Sequence, residues 1–466
     1  MIEKFSFYYT NDLHSQFSNW SQVATFMKQK KHFHAKKKES CWLFDIGDHV
    51  DRVHPIAEAF MGRANVQLLN DVDYDVVTIG NNEGITLSHK DLFHLYDDAA
   101  FNVVCTNLYN EKGEANPSWC KRRQILLSKH GVKVGVLGLT APFNDYYELL
   151  GWHISPPLEE LANIIKELQE QVDVIVLLSH LGLSVDQLIA REFPEVDVII
   201  GGHTHHLLRQ GEYIGNTLLT AAGKLCEFVG EVHLEWDHEQ QKLMKKEAFT
   251  TNITHLEHDA GTEQTLNQLY IEAEKRLGKV ITHIERPLSV NWFENTFIIQ
   301  ELTNTLITWT KADCAMLNAG LLLDSLPKGA ITYGDIHRIC PHPINPCVVS
   351  LTGRELMEVI RVSLTQSFME IRLKGFGFRG EVIGKMVFAG MEIILGTHEA
   401  DEVHIKAVNI QGVPLRHNRN YTVATADMFT FGRLLPDIVK AKDKKYFVPE
   451  FLRDLLVTTV ISLQKD

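Results

Sequence analysis

Short apolar runs ending in polar loops punctuate the first half of the chain. The first, residues 5–10, breaks off in Asn11-Asp12-Leu13-His14, and similar runs follow at 41–46, 74–79, 102–106, 132–139, 172–178 and 196–200. Runs of this length bounded by Gly, Asn and Asp read as buried strands. Between them lie amphipathic stretches. Val23, Phe26, Met27 and Lys30 recur at helical spacing behind a cap at Ser21, and further helices are predicted near 56–70, 88–98 and 158–171. Strands alternating with helices are the signature of an α/β domain. The later runs 217–221 and 228–236 are joined without a helix, which predicts a second sheet packed on the first.

From position 237 the pattern turns charged and polar, and a long helix follows, with Leu266, Leu269, Tyr270, Ala273 and Leu277 on one side and Gly278 as its stop. This divides the chain into a domain over 1–237, a linker over 238–290 and a second α/β domain over 291–466. In the last of these a helix opens at Thr352-Gly353-Arg354-Glu355, a capping box followed by Leu356, Val359, Ile360 and Leu364. No internal repeat or low-complexity segment is visible.

A chain of 466 residues is too long for one ordinary core, which agrees with two domains. With 45% hydrophobic and 23% charged residues it has the balance of a soluble globular protein. The net charge of -13 argues against a long nucleic acid as partner, because backbone binding needs a sizeable basic surface. A small anionic substrate is compatible with it where a metal supplies local positive charge. The chain enters its first strand at once, without a signal-like apolar core, and no run is suited to crossing a bilayer. Seven irregularly spaced cysteines make no disulfide framework, so the expected location is the cytoplasm, with reduced thiols and no membrane partner. The lysine- and histidine-rich stretch 28–38 is read as helix-end cations in preference to a phosphate or membrane patch. Nothing in the sequence specifies an oligomeric state.

The chemistry lies where the strands end. Asp12 and His14 follow the first run, Asp48 follows Gly47, Asn81 follows Gly80, His180 closes a strand, and His203 and His205 follow Gly201-Gly202. Any one of these alone reads more simply as a loop hydrogen bond or a cap. Five loops that each deliver a carboxylate, amide or imidazole at a strand end point instead to divalent metals, which need such ligands on rigid supports. Asp12 and His14, two residues apart, project to the same side of an extended segment. No nucleophile motif competes: there is no Gly-x-Ser-x-Gly, Walker A loop or His-Glu-x-x-His.

The series Asp-x-His, Gly-Asp-x-x-Asp, Gly-Asn-x-Glu, a lone His after an apolar strand and Gly-Gly-His-x-His resembles the calcineurin-like metallophosphoesterase domain. The second half resembles the C-terminal substrate domain of the 5'-nucleotidase family, through Asn318-Ala319-Gly320, Ile331-Thr332-Tyr333-Gly334-Asp335-Ile336, Leu351-Thr352-Gly353 and Tyr421-Thr422-Val423-Ala424-Thr425. The resemblance implies a dinuclear site holding manganese, zinc or iron. Asp12, His14 and His205 would bind one ion, Asn81, His180 and His203 the other, and Asp48 would bridge them. It further implies attack on phosphorus by a hydroxide held on the metals, and a second domain that rotates about the linker to bring substrate to them.

The pattern also departs from the family. The family's Gly-Asn-His-Glu-x-Asp supplies a His-Asp dyad that stabilises the transition state; here Asn82 replaces the His and Ile85 the Asp. A positioned general acid is worth about 10²- to 10⁴-fold, so poor alkoxide leaving groups would suffer most. His49, Glu83 and His206 stand beside ligands, as substitutes or as supports. The family arginine after Asn-x-Gly gives way to Leu321, Leu322 and Leu323, the usual Pro-Phe-x-Asn reads Pro341-His342-Pro343-Ile344, and Phe431-Gly432-Arg433-Leu434 replaces Gly-Gly-Asp-Gly. Where the family stacks a base between two aromatic rings, Phe376 and Phe378 are the candidates here, with Asn318 and Arg379 as further substrate contacts. The expectation is a dimetal phosphoester hydrolase acting on a nucleotide-like ester or anhydride, with Asp48, Asn81 and Asn82 at the chemistry. The competing expectation is a metal-binding nucleotide sensor with little turnover.

Overall fold

Phe5, Phe7 and Tyr9 share one face of the strand Ile2–Thr10 and are buried in a core with Phe44, Val76, Val134, Val176 and Ile200. This core lies between two sheets. In a computed structural model, describing residues 1–111, 113, 115–397 and 403–463, the chain divides into two units, Met1–Ala273 and Glu274–Asp466. Residues 464–466, within the span read as the second domain, lie outside the described residues.

The first unit's larger sheet has seven strands in the order Lys242–Asn252, Phe228–Asp237, Ile2–Thr10, Ser40–Asp45, Val76–Val77, Asn102–Val104 and Cys120–Lys121. From Ile2–Thr10 onward its neighbours run parallel. The six-stranded sheet runs Glu212–Ile214, Thr217–Thr220, Val198–Gly201, Val174–His180, Lys133–Thr140 and Gln124–Leu127. Along Val174–His180 the side chains alternate with period two: Val174, Val176 and Leu178 enter the core between the sheets, while Ile175 and Leu177 pack with Leu161, Ile164 and Leu168 of the helix Pro157–Leu168. Covering both faces explains why these strands read as unbroken apolar runs.

Several elements differ from expectation. The charged segment after Asp237 is the turn of a hairpin, because Lys242–Asn252 pairs antiparallel with Phe228–Asp237 as an exposed edge strand. The helix expected over 56–70 is two helices, Pro55–Phe60 and Arg63–Val72, broken where Met61 and Gly62 adopt left-handed backbone, φ 49° and 80°. Ser21 does not cap its helix, which begins at Trp20 after Asn19; its hydroxyl lies 2.7 Å from His258 Nδ1 instead. In the basic stretch, Lys28, Lys30 and Lys31 pair with Asp259, Glu231 and Asp73 at 2.8, 2.7 and 2.6 Å, so these lysines are neutralised within the fold.

The second unit centres on a five-stranded sheet in the order Met386–Ala389, Cys314–Asn318, Asn420–Ala426, Pro346–Thr352 and Lys444–Tyr446. The expected capping box is present, with Thr352 Oγ1 accepting from Glu355 N at 3.3 Å and Glu355 Oε2 accepting from Thr352 N at 2.7 Å. A two-stranded ladder joins Val280–Ile284 to Gly329–Thr332, so part of the expected linker belongs to this unit. The helix Ala260–Leu277 contains the point of division. Both units are α/β.

Candidate metal centre

The loops that carry the candidate ligands are laced together by backbone before any ligand is considered. Asp12 N donates to Gly47 O at 3.1 Å and His14 N to Asp48 O at 2.8 Å. Gly47 has φ +87°, and a Cβ there would stand 2.2 Å from Gly80 N; a Cβ on Gly80 would stand 2.0 Å from Asp48 Oδ1. Only glycine permits this approach. Glu83, wholly buried, then clamps the two loops by accepting from Asp48 N at 3.0 Å, Gly80 N at 2.8 Å and Val50 N at 2.8 Å. Burial and the neighbouring Asp48 charge push its carboxyl up to about 7.

Asp12, His14, Asp48, His203 and His205 all hold left-handed backbone, with φ of 50, 51, 50, 68 and 59°. For residues with a β-carbon this costs roughly 1–2 kcal/mol each, and such outliers concentrate at functional sites. The rest of the fold holds them there.

The donor atoms fall into two groups. Asp12, His14 and His205 form one, and Asp48, His180 and His203 the other, the ligand atoms of each lying within 4.8 Å of one another. His14 Nε2 is 3.1 Å from His205 Nε2, and His205 Nε2 is 3.4 Å from Asp12 Oδ1. Asp48 Oδ2 lies 3.4 Å from His180 Nε2 and 3.9 Å from His14 Nε2, so this carboxylate reaches towards both groups. His180 donates Nδ1–H to the carbonyl of Ile46 at 2.8 Å, which frees Nε2. That Nε2 and Asn81 Oδ1 are buried without a hydrogen-bond partner. An unsatisfied buried acceptor such as Asn81 Oδ1 is costly, and a divalent cation would satisfy it while taking the place of the proton that the aspartates hold on His180 Nε2. The donor set of carboxylate oxygen, amide oxygen and imidazole nitrogen suits borderline divalent metals such as manganese, zinc or iron.

The charges are set to match. Burial alone would raise Asp12 and Asp48, but hydrogen bonds and charges from the surrounding histidines hold both below the usual carboxylate range. Burial would likewise lower His180, yet Asp48 and Asp12 outweigh it and push it up to about 10.

The neighbouring residues take different places. His49 is buried edge-on against Trp20, with ring centroids 5.0 Å apart, and burial pushes it down to about 3, so it is a neutral wall residue. His206 is exposed, its Nδ1 2.8 Å from Thr204 Oγ1. Asn82 donates its backbone N–H to Asp48 Oδ1 at 2.8 Å, and its side-chain amide lies 3.0 Å from His14 Nδ1. The Glu83 clamp could have been anticipated only from its capping position three residues after Gly80.

In the second unit the expected contacts separate. Asn318 is 0% exposed and donates to the Ile383 carbonyl at 2.9 Å, and Phe378 is 3% exposed and stacked on His342 with centroids 5.2 Å apart. Both side chains are therefore packed within the unit, with Asn318 Oδ1 buried and without a hydrogen-bond partner. Arg379 is exposed, and Phe376 is 48% exposed. The ring parallel to Phe376 belongs to Phe431, with centroids 6.1 Å apart and planes at 10°. Sequence reasoning missed Phe431, whose only signal was an aromatic residue where the family has a glycine-rich stretch.

Residues 5–207 match the family described as calcineurin-like phosphoesterase, and residues 273–433 match 5'-nucleotidase, C-terminal domain. The chain is 42% identical over 457 residues to the uncharacterized metallophosphoesterase YunD of Bacillus subtilis, spanning 98% of this chain and 99% of that one. It is 22% identical over 353 residues to a 5'-nucleotidase of Vibrio cholerae, covering 64% of this chain and 63% of that one. Among solved structures, a 5'-nucleotidase precursor from Thermus thermophilus superposes with a TM-score of 0.60 at 19% identity, over 99% of this chain and 96% of that one. With both halves accounted for, the chain belongs to the metallophosphoesterases, as a phosphoric ester hydrolase with a calcineurin-like phosphoesterase unit and a 5'-nucleotidase-type C-terminal domain.

Proposed function

We propose that this chain hydrolyses a nucleotide-like substrate at a two-metal centre formed by Asp12, His14, Asp48, Asn81, His180, His203 and His205, and that it favours leaving groups that depart without a proton. The observation that carries the first part is the pair of convergent donor groups with Asp48 facing both. Divalent ions bound there would supply Lewis acidity to the phosphoryl oxygens and lower the pKa of water.

The chain's own residues do the rest. Asp12 and Asp48 stay ionised and offer charge to the cations, and the Ile46 carbonyl fixes the ring orientation of His180. No titratable side chain stands at Asn82 or Ile85, so neither position can protonate a departing oxygen. A phosphate leaving from an anhydride needs no such help, whereas a ribose alkoxide does. Phe376 and Phe431 would hold a nucleobase in the second unit, with Arg379 near its phosphates. Kinship with phosphoester hydrolases does not favour the sensor reading.

A cytoplasmic location is part of the same proposal, supported by seven cysteines without a disulfide. Among the described residues no helix is long and apolar enough to cross a membrane.

The test is product formation by the Mn²⁺-loaded chain on a 5'-mononucleotide, a 2',3'-cyclic nucleotide, a nucleotide sugar and a dinucleotide, with Asp48→Asn as control. Turnover is expected on an anhydride and is expected to vanish in the control. Metal binding without turnover on any of the four would overturn the proposal.

A further inference from the structure

His14 lies between two demands. Its Nε2 faces the donor group, 3.1 Å from His205 Nε2 and 3.9 Å from both Asp12 Oδ1 and Asp48 Oδ2. Its Nδ1 faces the side-chain amide of Asn82 at 3.0 Å, while Asp51 Oδ2 stands farther off at 3.5 Å. The bonds from Val53 N to Asp51 Oδ1 at 3.0 Å and from the Asp51 backbone N–H to Ser15 Oγ at 2.8 Å hold this carboxylate with Oδ2 towards His14. The nearest partner of Nδ1 is therefore the residue that replaces the family histidine.

A neutral imidazole carries one ring proton, and the tautomer depends on what each nitrogen faces. With the amide nitrogen of Asn82 facing Nδ1 at 3.0 Å, a neutral ring would carry its proton on Nε2. A cation taken up at Nε2 needs that lone pair, so the proton must reside on Nδ1 and find an acceptor. Asn82 can provide it. A half-turn of its amide exchanges NδH₂ for Oδ1 at the same place, so one side chain serves His14 in both states. The swap leaves the amide nitrogen of Asn82 on the side of Asn81 Nδ2, now 3.4 Å from Asn82 Oδ1, so two donor groups would face the same space.

Resting on the two-metal reading above, we propose that Asn82 is a positioning residue for His14. Its side-chain oxygen accepts the Nδ1 proton and aims Nε2 at the cation held with Asp12 and His205. The position that gives the family its proton donor is used here to support a metal ligand. Its backbone N–H bond to Asp48 Oδ1, at 2.8 Å, supports a second ligand from the same residue and is retained in both variants tested below.

The test is calorimetric titration of the chelator-stripped full chain with Mn²⁺, comparing wild type, Asn82→Leu and Asn82→Asp. Asn82→Leu keeps the side chain's size without donor or acceptor; Asn82→Asp keeps the acceptor. Losing a residue that orients a ligand costs about 10- to 100-fold in metal affinity. Asn82→Leu is therefore expected to weaken one of the two binding steps by that factor and leave the other unchanged. Asn82→Asp should bind at least as tightly as wild type. Thermal melting of the stripped variants should match wild type, which separates ligand support from a folding defect, and saturating Mn²⁺ should restore kcat in Asn82→Leu. Wild-type affinity for both ions in Asn82→Leu, or a kcat that excess metal does not restore, would overturn the inference and place Asn82 against the substrate. A wild-type chain that took up no Mn²⁺ would overturn the two-metal reading along with it.

Discussion

His180 Nδ1 lies 2.8 Å from the carbonyl oxygen of Ile46, and this bond leaves Nε2 as the atom that turns to Asp48. In the metal-free chain burial disfavours charge on His180, but the two aspartates prevail and its pKa is pushed up to about 10. At neutral pH a cation must therefore displace a proton. Metal affinity should rise about tenfold per pH unit for each proton released. Titrating Mn²⁺ in buffers of different ionisation enthalpy measures that release, and a heat independent of buffer would count against it.

Without an acid at Asn82 or Ile85, rate should depend steeply on the leaving group. Across a series of aryl phosphates, kcat/KM is expected to fall continuously as the phenol pKa rises, and alkyl esters should lag by about the 10²- to 10⁴-fold that general-acid help is worth. A flat series would show that another residue donates the proton.

Gly80 faces Asp48 with no room for a side chain. Gly80→Ala should displace the Asp48 carboxylate and, as overpacking, cost about 1–3 kcal/mol of stability. Mn²⁺ titration and a denaturant melt of the same variant would read both effects. An alanine that binds both ions normally would mean that the loop yields at little cost.

Asp186 lies behind the metal loops, accepting a hydrogen bond from Ser179, and a Cβ on Gly201 would stand 2.5 Å from its Oδ2. Burial outweighs the Ser179 bond and pushes its carboxyl up to about 7 from an ordinary 3.8. The folded chain thus keeps a proton that the unfolded chain has already lost. The stability this residue contributes is full below pH 3.8 and is lost as pH rises through about 7. Asp186→Asn stays neutral throughout, so its melting temperature should equal wild type in acid and exceed it at neutral pH, by about 2–4 °C per kcal/mol recovered. A difference that ignores pH would refute this.

Phe376 and Phe431 should act on binding more than on chemistry. Alanine at either is expected to raise KM for a nucleotide substrate, since stacking on an aromatic ring is worth about 1–3 kcal/mol per base, and to leave an aliphatic phosphoanhydride unaffected. Equal losses on both substrates would assign the rings to packing.

The loops that bring the candidate donor atoms together were legible because each chemical residue directly follows an apolar run that forms a parallel strand of one of the two sheets. The strand Lys242–Asn252 was not, because as a sheet edge it is rich in lysine and largely exposed, and so looks like a linker. The burial of Asn318 and Phe378 was not legible either, for the opposite reason. Their surroundings come from Ile383 and His342, distant in sequence, and no local pattern records such packing. Phe431 stood where the family motif has glycine, and its pairing with Phe376, distant in sequence, is seen only in the fold.

The left-handed backbone at Asp12, His14, Asp48, His203 and His205 sets these residues against the fold that carries them. Glycine at any of them would relax the chain, and stability is easily gained where function does not oppose it. A lineage released from selection would drift towards such replacements, growing sturdier as the centre decayed. Residues held in costly conformations make this site a burden that only use sustains.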